Sequence, residues 1–250
     1  MKKLSDLKIT QVRVYPTDMI PFHYLFSPTA VDKLRGAFRF KETGKGASGT
    51  QGVVNIPAAI TFPAESLLFR QGEFTVKDKM HSVESLVFEP RRILFTILGS
   101  SEVANTFYQA LAAIILEFDP DKQFNASGFL IQSDDTGCDV TLDVDIRQLL
   151  SREFVSFLDS KLLPELSNKA ATAKLRGVRM AFEVSYSIKD EKLSDHNISF
   201  SPKVVLLQSA PSSPLEEKRY MVLSPTSSDT LLMLLDELGK LGNAKGRNKH

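Results

Sequence analysis

The chain has 250 residues, 42% of them hydrophobic and 24% charged, a composition that is typical of a globular protein and excludes a disordered tail. Its 31 basic and 30 acidic residues leave a net charge of +1, which excludes a general electrostatic attraction to nucleic acid or to membrane surfaces. A single cysteine, Cys138, excludes an internal disulfide framework and a cysteine-rich zinc site.

The N-terminus does not resemble a secretory signal, because no apolar core region follows Lys2 and Lys3. The longest apolar run, Leu111–Leu116, is far shorter than the roughly 20 residues that a membrane-spanning helix needs. We therefore expect a cytoplasmic protein that does not act at membranes. No motif predicts a bound cofactor.

The first third of the chain predicts strands around one short helix. Leu7–Tyr15 is rich in β-forming residues and predicts a strand. Ser27–Gly36 predicts a helix, since serine caps a helix start, proline suits its first position and glycine follows its end. Ala37–Lys41 alternates and predicts a half-buried strand, whereas Thr43–Gly52 holds four of the 13 glycines and predicts a flexible loop.

Further strands are predicted before a long helix. Alternation or β-forming composition marks Val53–Phe62, Ser66–Val76, Ser82–Phe88 and Arg92–Leu98. The helix after Ser100 carries apolar residues at intervals of three and four.

The second half repeats this sequence of signals. Cys138–Arg147 alternates strictly and predicts a strand, and Leu149–Leu166 has helical spacing up to Pro164. Strands are predicted over Val178–Tyr186 and Ile198–Leu207, followed by a last strand and helix.

Two stretches read alike, which predicts an internal duplication. Glu89–Phe118 and Glu217–Leu241 each open with basic residues and a strand, continue with a Ser-Ser-acid turn, and end in an amphipathic helix. The matched motifs, in chain order, are Lys33–Gly36 with Lys174–Gly177, Ile60–Phe62 with Ile198–Phe200, and Ser100–Glu102 with Ser227–Asp229. The predicted domains are a first repeat over residues 1–120, a junction over 121–136, a second repeat over 137–243 and a disordered polar tail over 244–250.

The predicted fold class is α+β, with two related units of strand, helix, antiparallel meander and helix. Two such units can join edge to edge in one antiparallel sheet with the helices on one face. This order of elements resembles one repeat of the TATA-box-binding protein, and also the helix-grip folds. The resemblance is one of architecture and implies no shared activity.

Two strands are apolar on both faces, which is unusual for a sheet with one face in water. On Arg92–Leu98, Leu94 and Leu98 point away from the other apolar residues, and Val205 and Leu207 belong to a second two-sided run. Such strands either lie at the centre of a sheet covered on both faces, or they form a surface for a ligand or a partner.

Basic residues collect near the matched motifs and are candidates for binding phosphates. They are equally consistent with a solvated surface, because Glu183 shares a predicted face with Arg179 and the net charge is close to zero. The candidates are Arg35, Arg39, Lys41, Arg91, Arg92, Arg176 and Arg179.

Carboxylates on one strand face are weak candidates for metal ligands. Asp139, Asp143 and Asp145 alternate with apolar residues, and hard divalent cations prefer carboxylate oxygens. The alternative is the charged side of an edge strand, where like charges discourage edge pairing. No histidine or lysine stands nearby in sequence to complete a catalytic set, so we predict no metal and no enzyme.

We expect a non-enzymatic binding or assembly protein that presents a partly apolar sheet face to a protein partner or to a second copy. Two alternatives remain open: a nucleic-acid-binding module that uses the same face and its Arg/Lys residues, and a hydrophobic-ligand carrier. A metal-dependent enzyme built on the Asp139–Asp145 face is the weakest alternative.

Overall fold

The computed structural model describes residues 2–3, 5–47, 65–143, 145–150, 152–166, 178–185, 202–210, 213 and 215–247. The strand predicted over Val53–Phe62 lies outside these ranges. So do Arg176 and the motifs Ile60–Phe62, Lys174–Gly177 and Ile198–Phe200.

Ten strands within these ranges form one antiparallel sheet, which together with the helices confirms the predicted α+β class. The strands are β1 (Lys2–Lys3), β2 (Lys8–Val14), β3 (Glu42–Ala47), β4 (Glu65–Val76), β5 (Lys79–Glu89), β6 (Arg92–Leu98), β7 (Ile131–Thr141), β8 (Arg179–Val184), β9 (Lys203–Ser209) and β10 (Arg219–Ser224).

The sheet continues through both halves of the chain. Its strand order is β3-β4-β5-β6-β2-β7-β10-β9-β8, and β1 pairs with β7 outside this path. The central pair is β2 with β7, joined in register from Lys8 opposite Gly137 to Val14 opposite Ile131. On either side the strands follow in a mirrored order, with β6, β5 and β4 beyond β2 and β10, β9 and β8 beyond β7. The central pairing therefore covers one edge of each half.

Two helices of substantial length, α3 and α6, follow β6 and β10. The α-helices are α1 (Phe22–Leu25), α2 (Pro28–Ala37), α3 (Ser101–Glu117), α4 (Arg152–Phe157), α5 (Leu163–Leu166) and α6 (Ser228–Arg247). A π-helical segment, Leu158–Leu162, joins α4 to α5, and short 3₁₀ turns cover Ile146–Leu149 and Leu215–Glu217.

Serine caps start two of the helices whose beginnings were predicted from sequence. Ser27 Oγ accepts a hydrogen bond from the Ala30 amide at 3.3 Å, and Pro28 occupies the first turn of α2. Ser100 Oγ accepts from the Val103 amide at 3.4 Å at the start of α3. Replacing such a cap by alanine typically costs about 1 kcal/mol.

Helix α3 covers the first half of the sheet. Ile93, Phe95 and Ile97 of β6 are fully buried, and the Phe95 ring lies 4.9 Å from the ring of Phe107 in α3. Each buried side chain of this size stabilises the fold by roughly 1.5–3 kcal/mol.

Helix α6 covers the second half of the sheet from the same face. Its Leu231 and Leu235 pack in a second cluster with Val140, Leu207 and Val222. Gln11 of β2 donates to Asn105 of α3, while Thr136, one strand away on the same side, donates to the Thr226 carbonyl just before α6. Both helices therefore lie on one face of the sheet.

Two local predictions in the first half were wrong. Phe38 and Arg39 form a turn rather than a strand, and Arg39 has a φ of 49°. Phe38 and Phe40 are both buried because they pack on rings of α3 and β4, and this mimics strand alternation in the sequence. Residues 43–47, predicted as part of a flexible loop, pair with β4 as most of strand β3.

Boundaries also differ from prediction in the second half. Strand β7 begins at Ile131, inside the predicted junction, and ends at Thr141, before the predicted end at Arg147. The helical segment after Leu149 contains a π-helical stretch at Leu158–Leu162 ahead of Pro164. Helix α6 extends to Arg247, so part of the predicted disordered tail is helical.

The N-termini of α3 and α6 bind each other directly. The Ser101 amide donates to Ser228 Oγ at 3.0 Å, and the Ser228 amide donates to Ser101 Oγ at 2.9 Å. Each serine hydroxyl therefore accepts from an amide at the start of the other helix, where the first turn leaves its amides without a partner inside the helix. Ser228 is only 1% exposed, so water replaces these bonds poorly.

We predict that Ser101 and Ser228 are energetically coupled. Ser101→Ala and Ser228→Ala should each lower the free energy of unfolding by about 1 kcal/mol. The double variant should lose less than the sum by about 0.5 kcal/mol or more, because losing one bond loosens the other. Urea unfolding of the four proteins measures this.

Ser100→Ala is the matched control, since it removes only the local cap of α3. Its effect should add to that of Ser228→Ala within about 0.5 kcal/mol. Full additivity of Ser101→Ala with Ser228→Ala would contradict the coupling.

Candidate functional site

The face of the sheet opposite α3 and α6 is here called the distal face. Its side chains lie outside the two hydrophobic clusters beneath these helices. Strand alternation places Leu94, Thr96 and Leu98 of β6 on this face, because Phe95 and Ile97 point to α3. Thr10 of β2 joins them, since its hydroxyl is 3.0 Å from that of Thr96.

A groove of about 950 Å³ lies in the second half of the distal face and is called here the central groove. One row of residues, side by side in register across five strands, forms its floor. The row runs Leu98 (β6), Lys8 (β2), Gly137 (β7), Leu223 (β10) and Leu206 (β9). Because the pairing of β2 with β7 sets this row, both halves of the chain contribute to the groove.

Apolar side chains line the central groove and reach solvent there. Met221 is 38% exposed and Val204 is 37% exposed, while Leu206 is buried at 8%. Met221 alternates with the core residues Tyr220 and Val222, and Leu206 precedes the core residue Leu207. The exposed apolar atoms therefore follow from strands that are apolar on both faces.

The charges around the central groove are balanced. Lys8, Lys203 and Arg179 contribute three positive charges, and Asp6, Asp135 and Asp139 contribute three negative charges. Lys203 and Asp135 form a largely buried ion pair at 2.8 Å, and Lys8 pairs with Glu84. The groove therefore has no strong net field of either sign.

Two of the four predicted partner-binding residues lie on the distal face. Leu98 lines the central groove, and Leu94 lies on the same face of β6, further along the strand. Leu207 is instead 5% exposed in the cluster beneath α6, and Val205 shares its side of β9 by alternation. On β9 the distal face belongs to Val204 and Leu206.

The basic residues predicted from sequence are dispersed. Arg92 is buried in a bidentate ion pair with Glu89, both distances being 2.7 Å. Arg91 donates to the Tyr15 carbonyl at 3.2 Å. Arg35 donates to the Phe40 carbonyl and Arg39 pairs with Glu73 at 3.4 Å, near the end of α2.

Among the basic candidates that the structure describes, one reaches the central groove. Arg179 of β8 is exposed and lines it, whereas Lys41 lines a separate hollow with Glu73 and His81. The described candidates therefore do not assemble into one basic surface.

The three predicted carboxylates do not converge either. Asp139 lines the central groove, while Asp143 lies beyond the end of β7. Asp145 caps the 3₁₀ turn and pairs with Arg147; burial alone would raise the pKa of its carboxyl, but hydrogen bonds from Arg147 lower it. Within the described ranges, no three His, Cys, Asp or Glu side chains come together as a metal site.

Another hollow, of about 590 Å³ and distinct from the one that Lys41 lines, lies where α3 and α6 begin. Its lining includes the Ser101 and Ser227 positions and the carboxylates of Glu102, Asp134 and Asp229. These carboxylates already occupy the positive ends of both helices, which disfavours an anionic ligand.

A buried polar cluster beneath α3 combines Arg13 with two tyrosines. The Arg13 guanidinium lies 3.5 Å from the centre of the Tyr108 ring and donates to Asn105 Oδ1 at 3.1 Å. Tyr15 and Tyr108 hydrogen-bond to each other through their hydroxyls, and Tyr108 donates to the Ala126 carbonyl at 2.7 Å. With Arg13 4% exposed and both tyrosines fully buried, this cluster ties β2 to α3 and is closed to ligands.

Sequence reasoning missed the residues that shape the central groove. Met221 and Leu223 lie in β10, whose sequence Arg219–Ser224 is apolar on both faces, the signal that marked β6 and β9. Gly137 was predicted to precede the strand that begins at Cys138, although it is the single glycine within β7. A strand glycine marks a bulge or a close approach by another group.

Comparison with known proteins adds no family assignment, since neither a family model nor a curated protein matches the chain. In the described ranges, no helix has both the length and the apolar character needed to cross a membrane.

We predict that the two buried tyrosines make the protein lose stability above about pH 10. Burial raises the pKa of Tyr15 and of Tyr108 above the ordinary value near 10. The unfolded chain then loses these protons first, so their contribution is complete below about pH 10 and is lost as the pH rises further. Urea unfolding at a series of pH values measures the loss.

The chain has no tryptophan, so near-ultraviolet phenolate absorbance can follow the same titration. Tyr15→Phe should make the fall in stability above about pH 10 shallower and leave the slope between neutral pH and pH 9 unchanged. Equal slopes above pH 10 in the variant and the wild type would argue against this role.

Proposed function

We propose that this protein is a non-enzymatic binding or assembly protein that presents the distal face of its sheet to a protein partner or to a second copy. The observation that carries the proposal is the central groove, where Met221 and Val204 remain more than one third exposed on strands otherwise packed into the core. Contiguous exposed apolar surface of this kind marks interaction sites.

The charge distribution favours a protein over nucleic acid. A surface that binds the phosphate backbone needs an excess of lysine and arginine, because each neutralised phosphate releases counterions. In the central groove Asp6, Asp135 and Asp139 offset the three basic residues, and Lys203 is already bound to Asp135. Protein interfaces, in contrast, combine an apolar centre with charges of both signs at the rim.

The exposure of the groove favours a protein over a carried hydrophobic ligand. A carrier encloses most of its ligand's surface in a cavity. The apolar side chains of Met221 and Val204 stay in contact with solvent, so the groove accommodates a surface better than it sequesters a small apolar molecule.

We also infer that the chain arose by duplication of one unit, as the matched sequence motifs predict. Two observations support the inference: the mirrored strand order about β2 and β7, and the reciprocal bonds between Ser101 and Ser228. These serines occupy the same position in the two Ser-Ser-acid motifs. A single antiparallel sheet with α3 and α6 on one face is also consistent with two such units joined edge to edge.

The mass of the purified protein in solution tests whether the distal face binds a second copy of the protein. Light scattering over a range of protein concentration and salt should give a defined oligomer that carries no nucleic acid, as judged by ultraviolet absorbance. Met221→Glu should weaken this association at least about tenfold, because an unpaired carboxylate would be buried in the interface.

Met233→Glu is the matched control, since Met233 is 70% exposed on α6 and lies away from the distal face. It should leave the mass unchanged. An oligomer insensitive to Met221→Glu would place assembly on another surface. A monomer whose bound nucleic acid is removed by high salt would instead favour the nucleic-acid alternative.

A further inference from the structure

Gly137 occupies the centre of the central groove for no reason that the fold supplies. It pairs with Lys8 of β2 on one side and with Leu223 of β10 on the other, in the interior of a central strand. Glycine in such a position weakens a strand, because it loses more backbone entropy than other residues and packs nothing.

Gly72 and Gly99 have steric reasons to be glycine that Gly137 lacks. A Cβ on Gly72 would lie 2.5 Å from the Phe40 ring, and a Cβ on Gly99 would lie 2.9 Å from Val103. At Gly137 the nearest atoms to a Cβ would be the Val222 carbonyl at 3.4 Å and the Leu223 side chain at 3.5 Å, which are ordinary contacts. An added Cβ therefore fits at Gly137, and a side chain there would project into the groove.

The neighbours of Gly137 define what fits above it. Within its row the gap at Gly137 is bordered by Leu223 of β10 and by the aliphatic stem of Lys8 of β2, with Leu206 and Leu98 one strand further on each side. Along β7 the nearest side chains on the same face are Asp135 and Asp139. A gap of this kind accepts one large aromatic or aliphatic group in contact with the backbone of β7. Anchor residues of this type dominate the binding energy of protein interfaces.

Two residues of opposite charge in the next row of the groove can pair with charged groups of a partner. Asp139 and Arg179 line the groove in the next row, which runs Asp139, Met221, Gln208, Arg179 across β7, β10, β9 and β8. Within the described part of the chain neither forms an ion pair. Three inter-strand spacings of about 4.8 Å separate them by about 14 Å, the reach of about four residues of extended chain.

From this geometry we propose that the central groove binds an extended segment of a partner protein. One large apolar side chain of that segment sits over Gly137. A basic residue faces Asp139, and an acidic residue about four positions away faces Arg179. The inference rests on the proposed function and deepens it, because it names the chemistry of the partner at the same face.

Selection from a displayed library of random peptides of about a dozen residues tests the inference on the full chain. The enriched peptides should share a basic residue with a large apolar residue close to it in sequence, and an acidic residue about four positions from the basic one. A synthetic peptide with this pattern should bind Gly137→Val at least about tenfold more weakly than wild type in a calorimetric titration. Gly137→Ala should give a smaller loss, and it serves as the probe if the valine variant does not fold.

Gly44→Val is the matched control. Gly44 is a strand glycine on β3 that lies outside the groove, and a Cβ added to it would have no atom within 4 Å. It should leave peptide binding unchanged. Arg179→Glu should reverse the preference, so that a peptide with a basic residue in the acidic position binds better than the original.

Several outcomes would overturn the inference, and they separate it from the proposed function. No shared pattern among the enriched peptides would overturn it. A peptide that binds Gly137→Val as well as wild type but fails to bind Met221→Glu would remove the role of Gly137 and leave the proposed function standing. A peptide that binds both variants as well as wild type would show that the central groove is not its binding site. That result would count against the inference and against the proposed function. Displacement by a single-stranded oligonucleotide, with affinity falling steeply in salt, would replace the protein partner by nucleic acid.

Discussion

The antiparallel pairing of β2 with β7 is the constraint on which the rest of the structure depends. It joins the strands of the two halves into one sheet and leaves neither half with an inner edge. Because it fixes which residues lie side by side, it brings Lys8 beside Gly137 and so completes the floor of the central groove. On the opposite face it brings α3 and α6 together, where Ser101 and Ser228 bind each other.

The two faces of the sheet differ in exposure because α3 and α6 cover only one of them. Phe95 of β6 and Val222 of β10 are buried beneath α3 and α6. Their neighbours Leu94, Met221 and Leu223 are also apolar but point to the distal face, where exposure ranges from partial to more than one third. Apolar residues on both faces of a strand are otherwise expected only where both faces are covered. The excess apolar surface is therefore the feature on which the proposed binding function rests.

Sequence patterns predicted the elements well where local signals and tertiary contacts agree. The bounds of β6 and the caps Ser27 and Ser100 are as predicted. Leu98 and Arg179 line the central groove, and the binding roles assigned to them stay predictions. The start of β7 was missed because Asp134, Asp135 and Gly137 have the composition of a loop. Their place in a strand depends on distant partners: Asp134 accepts from Gln11, and Asp135 pairs with Lys203. Likewise Lys77 and Asp78 form the β4–β5 turn with positive φ values of 49° and 64°, without the glycine or asparagine that usually marks such turns.

Those distant partners also leave few unpaired charges at the central groove. Asp134 lies on the helix side with Gln11, and on the distal face Asp135 is neutralised by Lys203 across the end of β10. The charges that remain for a partner are Asp6, Asp139 and Arg179, and salt screens such exposed charges beyond about one Debye length. Long-range steering is therefore weak, and the proposed recognition depends on contact. The proposed partner segment would match the gap at Gly137 and the charges of Asp139 and Arg179 at once, which would give specificity at close range without a basic or acidic surface.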